Sequence, residues 1–439
     1  MNILATADLH LGKQSSNVSK ELPESSASYT LNRMVDYAIN EQVDALFLAG
    51  DVVDRDNRFF EAIGPVQMAF ERLGEAGIPV VMVSGNHDYD VLPDIVRNQS
   101  YPHVHLLGEK GRWEAKTIDT KSGKLQVIGW SFPNQYVTED PLLLLSVKTL
   151  NLNPNLPTFG LLHGDLYDRK SQYAPLDLSG LPAGVANAWV IGHIHKPDVI
   201  RRHSPMVFYP GSPQALSAKE PGVHGPALLS FDGSTVRSEQ IPLSPVRYEL
   251  LQIDVNGIGN QSEFRTHLTQ QMREFAQTHV TELEHVSHVV CDIELTGNHH
   301  SLNELDSWSQ QADELEQQPD SDTMLTVRKV VNRVQPVVEN LEELAQQPTP
   351  PGLLAKLILE LESDSDSGSD SGSSSSPSLV QTLMSKQKEE ISRANRSATY
   401  RPLSRFDNQI PETDEASKEM LLRESRQLLS ELLSQQEEK

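Results

Sequence analysis

Five times within its first 195 residues this chain runs through an apolar stretch and ends it in a short polar cluster. In order, the clusters are ADLH (Asp8, His10), GDVVDR (Asp51, Asp54, Arg55), GNHD (Asn86, His87, Asp88), LLHGD (His163) and GHIH (His193, His195). Strand ends are where α/β folds collect their ligands. Aspartate, histidine and an asparagine carbonyl are oxygen and nitrogen donors, suited to Mn²⁺, Fe²⁺ or Zn²⁺ and not to a metal held by soft thiolates. Asp8, His10, Asp51, Asn86, His163, His193 and His195 make seven candidate ligands. That is too many for one catalytic ion with an open position. It suits two ions sharing a bridging carboxylate, ~3.5–4 Å apart. His87 is then left over, and a histidine beside a metal ligand can serve as a general acid toward a leaving oxygen in phosphoryl transfer. Taken singly, GHIH also reads as a solvent loop and GNHD as an Asx turn; the ordered set is what points to a metal site.

The runs between the clusters set the fold class. NILATAD, VDALFLAGD and IPVVMVSGN read as strands, separated by helical patterns in YTLNRMVDYAIN and FFEAIGPVQMAFERLGEAG. From about Leu125 the signal is mostly strand: LQVIGWSF, TFGLLHG, AWVIGHIH, MVFYPG and ALLSFDG. The expected architecture is α/β, two packed sheets flanked by helices over residues 1–245. A small α+β domain follows over 246–296, where VRYELLQIDV and HVVCDIEL flank a helix with Phe264, Leu268, Met272 and Phe275 on one face. Residues 297–362 read as a strand and helix extension whose first part, through QQPDSD, shows little sign of a core. Residues 363–378 are a Ser/Asp-rich linker, expected to be disordered. The tail over 379–439 reads as helical, with a stripe of Leu421, Leu422, Leu428, Leu429, Leu432 and Leu433.

The formal charge is −24. Residues 1–245 hold 20 basic and 27 acidic residues, and the remainder 17 and 34, so the acid is concentrated in the second half. Such a chain has no strong nonspecific grip on phosphate of its own, although bound cations would invert the local field among the clustered acids. The single cysteine, Cys291, excludes an intrachain disulfide and a cysteine-built zinc site. It fits a reducing compartment. No secretory leader is evident in MNILATADLH, and the apolar run PLLLLSV is far shorter than the ~20 residues of a membrane span. The expectation is a soluble, cytoplasmic protein with no membrane association.

The set D-x-H, G-D-x-x-D, G-N-H-D, H and G-H-x-H resembles the calcineurin-like metallophosphoesterase superfamily. That resemblance implies a β-sandwich flanked by helices and a two-metal centre, for which Mn²⁺ is the expected ion. Matched position by position, Asp8, His10, Asp51 and His195 would hold one ion. Asp51, Asn86, His163 and His193 would hold the other, with Asp51 bridging and His87 as the catalytic histidine. The segments YAPLDLSGLPAGVANAWVIGHIHKP and YPGSPQALSAKEPGVHGPALLSFDG are similar to the SbcD and Mre-type branch of DNA repair exonucleases. Serine/threonine phosphoprotein phosphatases share G-D-x-x-D-R, but continue with glycine and carry G-N-H-E. Asp56 and Asp88 in those two places favour the nuclease branch.

The expected activity is therefore metal-dependent hydrolysis of DNA phosphodiesters. The alternatives are a phosphodiesterase or phosphatase on small nucleotides or phosphoproteins, and an interaction subunit that chiefly anchors an ATPase in DNA damage response or phage defence. The resemblance implies DNA, a coiled-coil ATPase of the SbcC or Rad type, and a second copy of the chain as partners. The leucine stripe is either the docking helix for that ATPase or a helix folded onto its own domain. Arg55, Arg169 and Lys196 are candidate phosphate contacts, with solvated rim charges as the other reading. Cys291, Trp113 and Trp130 read as core, and His285, His288, His299 and His300 as ordinary surface or core histidines.

Overall fold

A computed structural model of the chain describes residues 1–56, 62–98, 101–203, 205–310, 316–317, 323–338, 340–363, 379–396 and 414–437. The Ser/Asp-rich run at 364–378 lies outside the described residues. The chain divides into two compact units. One comprises Met1–Leu251, Thr269–Asp292 and Glu314–Lys329, and the other Gln252–Leu268, Ile293–Asp313 and Val330–Lys439.

The first unit contains β1 (Asn2–Thr6), α1 (Ala27–Asn40), β2 (Ala45–Ala49), α2 (Ile63–Glu75), β3 (Val80–Val83), α3 (Leu92–Asn98), β4 (Val104–Leu106), β5 (Glu114–Thr120) and β6 (Gly123–Gly129). It continues with β7 (Thr158–His163), β8 (Ala188–Gly192), β9 (Asp198–Arg201), β10 (Met206–Tyr209), β11 (Ala227–Phe231) and β12 (Val236–Gln240). Two six-stranded sheets result, in the orders β12-β11-β1-β2-β3-β4 and β5-β6-β7-β8-β10-β9. Strands β1 to β4 are mutually parallel, as are β6, β7, β8 and β10; β11 pairs antiparallel with β1 and with β12, and the edge strands β5 and β9 of the second sheet pair antiparallel with their neighbours.

Parallel strands covered on both faces need apolar residues at every position, and strict alternation here assigns each residue to a layer. Ile3, Ala5, Ala45, Phe47, Val81 and Val83 of the first sheet meet Phe159, Leu161, Ala188, Val190, Met206 and Phe208 of the second in one core between the sheets. The intervening residues Leu4, Leu46, Leu48, Val80 and Met82 face outward onto α1 and α2, which bury Leu31, Met34, Val35 and Ala38, and Val66, Ala69, Phe70 and Leu73. On the second sheet Leu162, Trp189, Ile191, Val207 and Tyr209 face a cover that includes Leu142, Leu176 and Leu181. Trp130 belongs to that cover, and Trp113 packs partly buried against it. Ser26 caps α1 by accepting from the amide of Tyr29, the expected use of a serine there.

The strand over Val246–Asp254, α4 (Gln261–Thr278) and the strand over His288–Thr296 realise the strand–helix–strand pattern, with Phe264, Leu268 and Met272 fully buried. Cys291 is buried, and burial, followed by the charges of Glu249 and Asp292, pushes its thiol up to about 12. A helix over Leu302–Ser309 stands where the sequence shows little sign of a core. It buries Leu305 and sets Trp308 5.9 Å from the Phe264 ring and 5.5 Å from that of His299. Two large apolar side chains on one face are enough to fix it, too few for a periodic signal. In the same unit the helices Pro350–Ser363 and Asp414–Glu437 pack together through Ala355, Ile358, Leu422, Leu429 and Leu433. Much of the leucine stripe is thus occupied by the chain's own helix, although Leu428 is exposed. No helix among the described residues is long and apolar enough to cross a membrane.

The two sheets approach closely at the C-terminal ends of β2 and β8. A Cβ at Gly192 would run into the carbonyl oxygen of Ala49 on the other sheet and lie 2.7 Å from His163 Nδ1. Gly192→Ala is therefore expected to cost about 1–3 kcal/mol or more in stability, read as a lowered denaturant midpoint. An unchanged midpoint would contradict this packing.

Candidate metal centre

The β1, β2 and β3 register places the ends Thr6, Ala49 and Val83 side by side, and the β7–β8 register pairs His163 with Gly192. All five polar clusters therefore emerge at one edge of the sandwich. The backbone turns there at a cost. Asp8, His10, Asp51 and His193 have φ of 53°, 45°, 51° and 103°. Positive φ at a non-glycine residue costs on the order of 1 kcal/mol or more and persists where the surroundings impose it. Here the loops impose it through the Asp8 amide donating to Gly50 O and the His10 amide to Asp51 O, both at 3.0 Å.

Asp51 stands in the middle. Its Oδ1 accepts from the His87 amide at 2.8 Å, while Oδ2 lies 3.4 Å from His163 Nε2 and 3.9 Å from His10 Nε2. On one side His10 Nε2 faces His195 Nε2 at 3.1 Å, and Asp8 Oδ1 is 3.9 Å from that same His195 nitrogen. On the other side His163 Nε2 is 3.2 Å from Asn86 Oδ1. The structure thus links Asp8, His10, Asp51, Asn86, His163 and His195 through overlapping contacts. His193 sits at the margin. Its ring centroid is 5.5 Å from that of His163, its Nε2 is 3.8 Å from Asp165, and its amide donates to the Asp8 carboxylate at 2.9 Å. Burial, followed by the nearby His163, lowers its pKa to about 4, so its ring is neutral and free to donate a lone pair.

The donors fit divalent cations on two counts. First, the outer nitrogens of two histidines are already engaged: His163 Nδ1 lies 3.0 Å from Ala49 O, and His195 Nδ1 2.7 Å from Glu220 Oε1. Their inner Nε2 atoms then face the cluster, the arrangement metal-binding histidines use. Second, Asp8 and Asp51 are both buried at this edge with no lysine or arginine paired with them among the described residues. Uncompensated buried carboxylates are costly, and bound cations are the usual remedy. Glu220 is itself held, its Oε2 accepting from the Leu216 amide at 2.8 Å. Burial opposes charge on His195, but Glu220 and Asp8 outweigh it and raise its pKa to about 9. A cation taken up there would displace a proton.

His87 differs from the ligands. Proximity alone groups it with His10 and Asp51, but its side chain is 30 % exposed whereas that of Asp51 is 3 %. Its Nδ1 lies 3.3 Å from Asp54 Oδ1, which also stands 3.3 Å from His10 Nδ1 and 2.9 Å from Lys13 Nζ. Burial opposes protonation of His87, but Asp54 and then Asp51 outweigh it, so its pKa is raised. Burial likewise opposes ionisation of Asp54, and His10, His87 and Lys13 overcome it, holding the carboxyl well below its usual range. Sequence reasoning assigns no role to Asp54, Lys13 or Glu220. Asp54 stands inside a recognisable motif, whereas Glu220 is 25 residues from the histidine it holds and has no local signature.

Asp88 is buried and turned onto backbone amides. Its carboxylate accepts from the amides of Val52, Val53 and Gly85 at 2.7, 3.3 and 2.8 Å, tying the second cluster to the third. Burial and the charge of Asp51 push its pKa up to about 7 against those amides. Among the candidate phosphate contacts, Lys196 is exposed directly after His195, and Arg169 is 80 % exposed and pairs with Asp177 at 3.1 Å. Arg55 is exposed just beyond Asp54.

Residues 1–197 match the family model for calcineurin-like phosphoesterases. Among curated proteins it is 29 % identical over 273 residues to the uncharacterized metallophosphoesterase YhaO of Bacillus subtilis, covering 60 % of this chain and 65 % of that one. It is 25 % identical over 262 residues to the SbcD component of the nuclease SbcCD of the same organism, covering 51 % and 64 %. Over 86 residues it is 35 % identical to the DNA double-strand break repair protein Mre11 of Sulfurisphaera tokodaii, covering 20 % and 22 %. The matched region thus spans just under two thirds of the first two relatives. The fold of this family binds a dinuclear metal centre.

Removing the carboxylate behind His195 tests how that histidine is held toward a cation. Glu220→Ala is expected to weaken one of two Mn²⁺ binding events about 10- to 100-fold, leaving the other intact by calorimetric titration. Two unaltered affinities would contradict the assignment.

Proposed function

We propose that this protein is a divalent-cation-dependent phosphodiesterase acting on DNA. The observation that carries the reaction class is the contrast at the site: a buried cluster of carboxylates and imidazoles with one half-exposed histidine, His87, standing over it on Asp54. Two cations held by Asp8, His10, Asp51, Asn86, His163, His193 and His195 would supply Lewis acidity toward a phosphoryl oxygen and a lowered pKa for attacking water. Mn²⁺ suits this set of oxygen and imidazole donors. The chain's own residues do the rest. Asp51 holds the His87 backbone through its amide. Asp54 orients the imidazole through Nδ1 and, with Asp51, favours its protonated form. That leaves Nε2 to give a proton to the departing sugar oxygen. Lys13 fixes Asp54 from behind.

The choice of DNA rests on the similarity to a component of the SbcCD nuclease and to Mre11. The likeness to one subunit of SbcCD supports a partner subunit, which we take to be a coiled-coil ATPase, and we take the working assembly to contain two copies of this chain. A reducing, cytoplasmic setting accords with the one buried cysteine. The charge of −24 favours a second reading, a phosphodiesterase for small nucleotides, which needs no extended grip on a polyanion. Assays with Mn²⁺ on single- and double-stranded DNA, beside a nitrophenyl phosphodiester, separate the two. DNA cleavage is expected, and turnover of the small diester alone would overturn the DNA reading. His87→Ala is expected to retain both cations and lose about 10²- to 10⁴-fold in kcat; undiminished turnover would remove His87 from the mechanism.

A further inference from the structure

A metal-lined edge accounts for the phosphate of a substrate but for little else of it. We propose that Tyr136 and Tyr173 form a stacking platform for an unpaired nucleobase beside the phosphodiester at the metal centre. This rests on the DNA reading above and specifies how an acidic protein holds such a substrate.

A row of rings leads outward from the site. The Tyr173 ring lies 5.3 Å from that of His193 at an interplanar angle of 41°, and 5.9 Å from that of Tyr136 at 36°. Two loops carry the tyrosines, and the backbone locks those loops together: the Val137 amide donates to Gln172 O at 2.9 Å and the Ala174 amide to Val137 O at 2.7 Å. Tyr173 is half-buried between its neighbours, whereas Tyr136 is 52 % exposed. The outermost ring is thus held on a fixed backbone, in line with a candidate metal ligand, without being required by the core.

Electrostatics gives such a platform a role. Residues 1–245 hold more acid than base; Lys13, beside the centre, already faces the carboxylate of Asp54, and Arg169 faces Asp177. Attraction to phosphates is then a weak source of affinity. Stacking of a base on an aromatic ring does not depend on charge, and it tolerates sequence because every base has a π face. It does require the base to be out of its duplex, which points to single strands and frayed ends.

The test uses the full chain with Mn²⁺ and single-stranded oligonucleotides, either intact or abasic at the two nucleotides of each end. Tyr136→Ala is expected to lower kcat/KM about ten-fold on the intact strand. Tyr136→Phe, which keeps the ring, should restore it, and the abasic strands should abolish the difference between the variants. A Tyr136→Ala protein that matches the wild type on intact strands overturns the platform, as does an equal loss on intact and abasic strands. If the wild type itself cleaves no DNA but hydrolyses a nitrophenyl phosphodiester, the DNA reading fails, and the platform with it.

Discussion

The carboxylate of Asp51 is the point on which the two sheets close. It sits at a positive φ after β2 and receives the amide of His87 from the β3 loop. It also faces the imidazoles of His10 and His163, the latter carried by the opposite sheet. Burial alone would neutralise it, but His163, His10 and His87 keep its pKa low. Everything else at this edge serves that convergence. Small residues such as Ala49 and Gly192 let the sheets approach, and Asp88 ties the loops that carry the cluster. A sandwich that brings several carboxylates and imidazoles to one buried point, with strained backbone beneath them, is more economically explained by bound cations than by internal ion pairing.

Much of this was legible in the sequence because it is local. An apolar run of four to six residues followed by glycine and a metal-type side chain is a short pattern, and it recurs often enough to mark the functional edge of the sheets. The apolar runs are equally local and mark the strands, whereas the layer that Ile3, Leu4, Trp189 or Val190 faces is set by the fold. What escaped was contact made across distance. Glu220, Lys13 and the Tyr136–Tyr173 pair have no motif of their own, and only the fold brings them to His195, Asp54 and His193. The helix at Leu302–Ser309 escaped for a different reason, since Leu305 and Trp308 are too few to show a period.

Asp88 shows how a residue that weighs in a sequence pattern can act through the backbone in the structure. In the sequence it weighs toward one substrate class, because phosphatases of related pattern have glutamate there. In the structure its oxygens are taken up by three backbone amides, so aspartate in place of glutamate is a matter of loop geometry. His87, Lys196 and the outward row of tyrosines, by contrast, keep exposed surface near this edge.

The central claim is that one buried carboxylate joins two cation sites. Mn²⁺ stoichiometry on the intact chain, measured for the wild type and for Asp51→Ala, tests it most directly. The account predicts two ions per chain in the wild type and the loss of both from the variant while it remains folded. A single ion in the wild type, or a folded Asp51→Ala protein that still binds two, would contradict it.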